Sequence, residues 1–140
     1  MRIVIDLQGA QSTGSRHRGI GRYSLSLAQS MARQAGIHEI LLALNGRFPD
    51  AVDDFRAAFK GLIDPTNIKV WYPAAQSGSG ARAPGEVRAD EMLYEAFLAS
   101  LAPDAVHVSS LFEGLGDATV TSIGRFAPCP RQSHCTTSSR

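Results

Sequence analysis

The chain has 140 residues, 44% hydrophobic and 19% charged, with a formal net charge of +1. That length and balance suit one folded domain with a real core, and argue against a disordered or fibrous chain. The near-neutral charge leaves no global electrostatic footprint for nucleic acid, so none is expected as a partner.

Met1 to Asp6 opens with a short apolar run that meets an acidic residue, too short for a signal-peptide core or a membrane span. The expected address is cytoplasmic. Arg2 to Leu7 is rich in branched residues and reads as a strand buried on both faces. From Ile20 the apolar positions Ile20, Tyr23, Leu27, Ala28, Met31 and Ala35 step by three and four, which predicts a helix that Gly36 ends. Glu39 to Leu44 is a second buried strand, closed by Asn45-Gly46. Pro49 suits a helical first turn, and Val52, Phe55, Phe59 and Leu62 line one face of the helix that follows. Phe48, Phe55 and Phe59 are read as core packing in preference to membrane contacts, because of that spacing.

Ile68 to Tyr72 is a third strand, and Pro73 to Gly85 is too poor in apolar residues to order itself by packing, so a mobile loop within the domain is expected. Ala89, Leu93, Ala96, Phe97 and Leu101 define a further amphipathic helix, closed by Pro103. Asp104 to Ser109 is the fourth strand, and Asp117 caps a short helix through Ile123. Strands alternating with helices imply an α/β fold, a Rossmann-like open parallel sheet with helices on both faces. Ligands in such sheets sit beyond the carboxyl ends of the strands, which directs attention to the connections Gln8 to Gly19 and Ser110 to Gly116.

Arg18-Gly19-Ile20-Gly21-Arg22-Tyr23 stands where the first loop becomes the first helix. Glycines there let a ligand approach backbone N–H groups, and a helix start favours an anion such as phosphate. Arg16, Arg18 and Arg22 reinforce that preference, and His17 adds a donor. The bland alternative is a tight helix entry with solvated arginines. A dinucleotide fingerprint fits less well: its glycines should begin directly after strand one, whereas Gln8 to Arg18 intervene, and Asn45 stands where an acidic residue would end strand two. A P-loop is excluded, because Gly-Lys-Ser/Thr does not occur.

Ile5-Asp6 at the end of a first strand, then a loop and Gly19-Ile20-Gly21-Arg22-Tyr23 opening a helix with Leu25 and Leu27, resembles the start of bacterial family 4 glycosyltransferases. Pro103-Asp104-Ala105-Val106-His107-Val108-Ser109-Ser110 is similar to their fourth strand and following loop. The resemblance implies the N-terminal, acceptor-side half of a GT-B enzyme, over residues 1–128. Such an enzyme transfers a hexose from a nucleotide sugar with retention, and without an essential metal or other cofactor. Within the family the pattern leans to mannosyltransferases of cell-surface polysaccharide assembly. Their acceptor is a sugar or lipid-linked glycan, which brings the parent to the inner face of the membrane as a peripheral protein. By position, Gly19, Gly21, Arg18 and Arg22 face the donor diphosphate or the acceptor, and Glu113, beside Gly114 and Gly116, faces acceptor hydroxyls or only solvent. The alternative to an enzyme fragment is a non-enzymatic α/β module binding a phosphate ligand or a protein.

After Phe126-Ala127-Pro128 the family pattern breaks. Residues 129–140 carry no strand-like apolar run and read as an aberrant or flexible tail, as in a truncated or frameshifted product lacking the donor-binding domain. Apolar surface left by that domain would favour self-association. Adjacent His134-Cys135 with Cys129 makes a poor zinc set, since a fourth ligand is missing. His107 lies in a strand run and reads as a packed histidine. Asp53-Asp54 decorates helix turns, and no catalytic set is identifiable. The isolated chain is accordingly expected to be inactive.

Overall fold

The computed structural model describes residues 1–12, 14, 16–74, 83–109, 120, 122 and 134–137. Its elements run β1 (Arg2–Asp6), α1 (Gln8–Gln11), α2 (Gly19–Arg33), β2 (Glu39–Asn45), α3 (Pro49–Ala58), a single 3-10 turn (Pro65–Asn67), β3 (Ile68–Trp71), α4 (Pro84–Ser100), β4 (Ala105–Val108) and β5 (His134–Thr137). All pairings are parallel and the strand order is β3-β2-β1-β4-β5. The expected open Rossmann-like sheet is what forms. In register, Asp6 lies opposite Ala43 on one side and Val108 on the other, and Asn45 lies opposite Trp71. The carboxyl ends of β1 to β4 therefore share one edge, and the chain order reverses between β1 and β4.

Strand alternation splits the core in two, because successive side chains point to opposite faces. Ile5, Ile40, Leu42, Leu44 and Ile68 meet Ala28 of α2 and Val52, Phe55 and Phe59 on one face. Val4, Leu41, Ala43, Trp71, Val106 and Val108 meet Tyr94 and Leu98 of α4 on the other. Burial on both faces explains why β1 and β2 read as continuous apolar runs. Phe55 and Phe59 are core residues, as their spacing indicates.

Four features depart from the sequence reading. Tyr23 is not in the buried stripe of α2 but 62% exposed; Leu25, Ala28, Met31, Ala32 and Ala35 pack inward instead. The buried face of α4 is turned partly away from the expected one: Asp90, Tyr94, Glu95 and Leu98 are buried and Leu93 is 42% exposed, while Phe97 and Leu101 pack against the core as expected. Carboxylates can turn inward because partners await them. Asp90 Oδ1 accepts the Ala74 N–H at 2.8 Å, and the Ser122 hydroxyl donates to Glu95. The helix also begins within the stretch expected to be loop, at Pro84, where the Glu86 carboxylate accepts the Ala83 N–H at 3.2 Å. Finally, 134–137 form β5 beside β4 without an apolar run, since an edge strand is held by backbone hydrogen bonds that any residue with an N–H can make. The expected mobile loop is otherwise outside the described residues over 75–82, as is the Asp117–Ile123 helix apart from residues 120 and 122.

Candidate functional site at the carboxyl edge of the sheet

β1 ends on a carboxylate buried beneath the switch point. Asp6 is 2% exposed, and its oxygens accept the Gln8 N–H at 2.7 Å, the Gln8 Nε2 at 2.9 Å and the Tyr94 hydroxyl. Burial raises its pKa above the usual carboxylate value, while the bonds from Tyr94 and Gln8 pull the other way. With its oxygens so engaged and no solvent access, Asp6 supports the surrounding backbone and is not placed to exchange protons with a ligand. The Ser109 hydroxyl, just after β4, donates to the Asp6 carbonyl at 2.8 Å and draws the two strand ends together.

The segment after β1 is not loop throughout, as the sequence suggested, but forms the short helix α1. Leu7 and Ala10 anchor it in the core. Its two glutamines are buried and make an amide clamp. Gln11 Nε2 donates to the Asn45 carbonyl at 3.0 Å, and its Oε1 accepts the Asn45 N–H at 2.7 Å. Gln8 treats residue 120 in the same way, donating to the Val120 carbonyl at 3.0 Å and accepting its N–H at 3.2 Å. Sequence reasoning missed this pair; the available signal was two glutamines three apart, on one helical face with Leu7 and Ala10.

The structure brings Arg18, Gly19, Gly21 and Arg22 together at the start of α2. Arg18 is the N-cap in extended conformation, with no side-chain cap, and no acidic residue occupies the first turn. Arg18, Gly19 and Arg22 are exposed, whereas Gly21 is buried. A Cβ built on Gly19 meets no atom within 4 Å, so neither packing nor backbone strain demands glycine there. The first-turn amides thus border an open space that a side chain at 19 would narrow, between two exposed arginines in the chain.

Arg16 does not join them. Its guanidinium pairs with Asp54 on α3. Asp54 accordingly serves as a tether, while Asp53 pairs with Arg56 one turn on at 3.9 Å. His17 is exposed beside Arg18. Glu113 and Cys129 lie outside the described residues. His107, half-buried in β4, has an Nε2 without a hydrogen-bond partner among the described residues, and desolvation lowers its pKa. It is a packed histidine, as expected. Among the described residues no three His, Cys, Asp or Glu side chains are grouped to hold a metal, and no helix is long and apolar enough to cross a membrane.

This edge, a buried polar floor under an uncapped helix start, matches in order the motifs that carried the resemblance. A serotype-specific mannosyltransferase of Escherichia coli, WbdA, is 32% identical over 125 residues, which is 88% of this chain and 15% of that protein. The chain is related to bacterial glycosyltransferases. Two further Escherichia coli proteins of the same name are 26% and 25% identical, each over 99 residues, 69% of this chain. The chain thus spans less than a sixth of the length of these glycosyltransferase relatives. No family model matches it, and no solved structure matches it significantly.

Proposed function

We propose that residues 1–128 form the acceptor-side domain of a mannosyltransferase that moves mannose from a nucleotide sugar to a glycan or lipid-linked acceptor in cell-surface polysaccharide synthesis. The observation that carries the reading is the 32% identity to a mannosyltransferase, over 88% of the chain. The geometry at the start of α2 supports it. Arg18 and Arg22 would hold donor phosphates or acceptor oxygens by charge-assisted hydrogen bonds, with the Gly19 and Gly21 amides adding the helix-start field. Glu113 would meet acceptor hydroxyls from the connection after β4. No cofactor beyond the nucleotide sugar is needed in this scheme. Donor nucleotide and leaving group would be held mainly by a second domain, so the 140-residue chain should transfer nothing by itself. The protein would work on the cytoplasmic side of the membrane, attached peripherally through its acceptor.

The test is a graft. The matching segment of the Escherichia coli relative is replaced by this chain, and transfer from nucleotide-activated mannose is measured by product analysis. Transfer should persist, and Arg22→Ala should lower it about tenfold or more, the effect of losing one charge-assisted contact. A folded graft without transfer from any nucleotide sugar, together with tight phosphate-ligand binding by the chain alone in calorimetry, would overturn the reading in favour of a non-enzymatic binding module.

A further inference from the structure

We infer that Gln8 and Gln11 are positioning residues that set where the start of α2 stands over the sheet, by acting through α1 as a two-point backbone clamp. The inference deepens the functional reading above and takes from it the role of the α2 start.

α1 has four residues and no side-chain cap, far too little helix to persist by itself. Its place must come from tertiary bonds. A parallel sheet leaves the backbone groups just past its last paired residues without strand partners, and the two glutamine side chains supply them. Each primary amide offers one N–H and one C=O in the geometry of a peptide group, so Gln11 pairs with both groups of Asn45 at the end of β2, and Gln8 with both groups of Val120 beyond β4. Gln8 is used to full capacity. Its Nε2 donates to Asp6 and Val120, and its Oε1 accepts from Val120 and from Asn45 Nδ2 at 3.1 Å. α1 lies against both β2 and α2. The clamp therefore joins the connections after β1, β2 and β4 and carries the position of the sheet edge into the helix that presents Gly19, Gly21 and Arg22.

The discriminating substitution is isosteric. Gln11→Glu keeps the shape and the bond from the Asn45 N–H, and replaces only the donor with an oxygen that faces the Asn45 carbonyl. Protonating the new carboxyl restores a donor. Gln8→Glu does the same with more at stake, because the titratable groups facing it are Asp6 and, through Asp6, Tyr94. Backbone amide signals of Gly19, Gly21 and Arg22 are followed by NMR in the full chain, against wild type at each pH and against Val52→Ala, which loosens the core in α3. At neutral pH both glutamate variants should displace these signals, and acidification through the carboxylic-acid range should return them. Val52→Ala should leave them in place. Should Gln8→Glu not fold, the milder Gln11→Glu decides.

Signals that stay at their wild-type positions in a folded Gln11→Glu chain, or that fail to return on acidification, would overturn the clamp. So would an equal displacement in Val52→Ala. Because this readout needs no ligand, it stands apart from the functional reading. In the graft, Gln11→Glu should lower kcat several-fold at neutral pH with recovery toward acid. An unsubstituted graft without transfer indicts the mannosyltransferase reading and leaves the NMR result intact.

Discussion

At Asp6 two opposing effects meet, desolvation and donated hydrogen bonds, and desolvation wins. A folded-state pKa above the ordinary 3.8 means that the fold favours the protonated carboxyl. The contribution of this group to stability is full below 3.8 and is lost as pH rises through the folded value. Asp6→Asn should therefore flatten that part of the pH dependence, seen as a smaller fall in the urea midpoint above 3.8 than in wild type. A variant with the wild-type slope would show that the burial of Asp6 is not what shapes it. Gly19 poses the opposite situation, a residue whose identity the fold does not require. Alanine has the better helix propensity by up to about 1 kcal/mol, so Gly19→Ala should hold or raise the melting temperature. Under the proposed function it should also weaken transfer in the graft, because the added methyl enters the space before the first-turn amides. A drop in both stability and activity would point to a packing role.

Among the elements, α4 gives the clearest case of a pattern misread and then explained. Of the expected stripe Ala89, Leu93, Ala96, Phe97 and Leu101, Phe97 and Leu101 pack inward, yet the helix most deeply buries Asp90, Tyr94, Glu95 and Leu98. Periodicity counts a charged residue as outward-facing, and it cannot know that Ala74 and Ser122 donate hydrogen bonds to two of these carboxylates. Leu98→Ala should cost about 2–4 kcal/mol in chemical denaturation, whereas Leu93→Ala should stay within about 0.5 kcal/mol. Equal effects would restore the face inferred from sequence. The same ring system ties α4 to the sheet, with Trp71 and Tyr94 centroids 5.3 Å apart at a tilt of 47°. By contrast α2 and α3 were legible, because most of the residues they turn inward are apolar and recur at three and four, although α2 also buries Ser24 and leaves Tyr23 exposed.

Over the whole molecule, a doubly covered parallel sheet puts all strand ends on one edge and leaves the opposite edge to structural contacts. There Arg2 donates to Glu39 at 2.7 Å and to the Leu101 carbonyl at 2.9 Å, while its N–H reaches Asp104. Each face depends on a few large side chains. Phe59, fully buried where α3 meets the sheet and α2, should cost about 3–5 kcal/mol as alanine, a large share of the stability of a domain this size. Unfolding midpoints for Phe59→Ala close to wild type would mean that this face can repack around the loss.

The order of β1 to β4 with the long helices between them, the parallel sheet and the helix start carrying Gly19 and Gly21 were determined by the sequence alone. Those properties depend on residues close along the chain, on apolar runs, three-and-four spacing and turn glycines. Tertiary structure decided which face α4 buries, where Arg16 goes, that 134–137 pair as a strand, and that Gln8 and Gln11 form a clamp. The physical reason is common to all four. A polar group can be buried, or a polar segment paired, only when a partner meets it, and Gln8 finds Val120 at a separation of 112 residues, which no local pattern encodes.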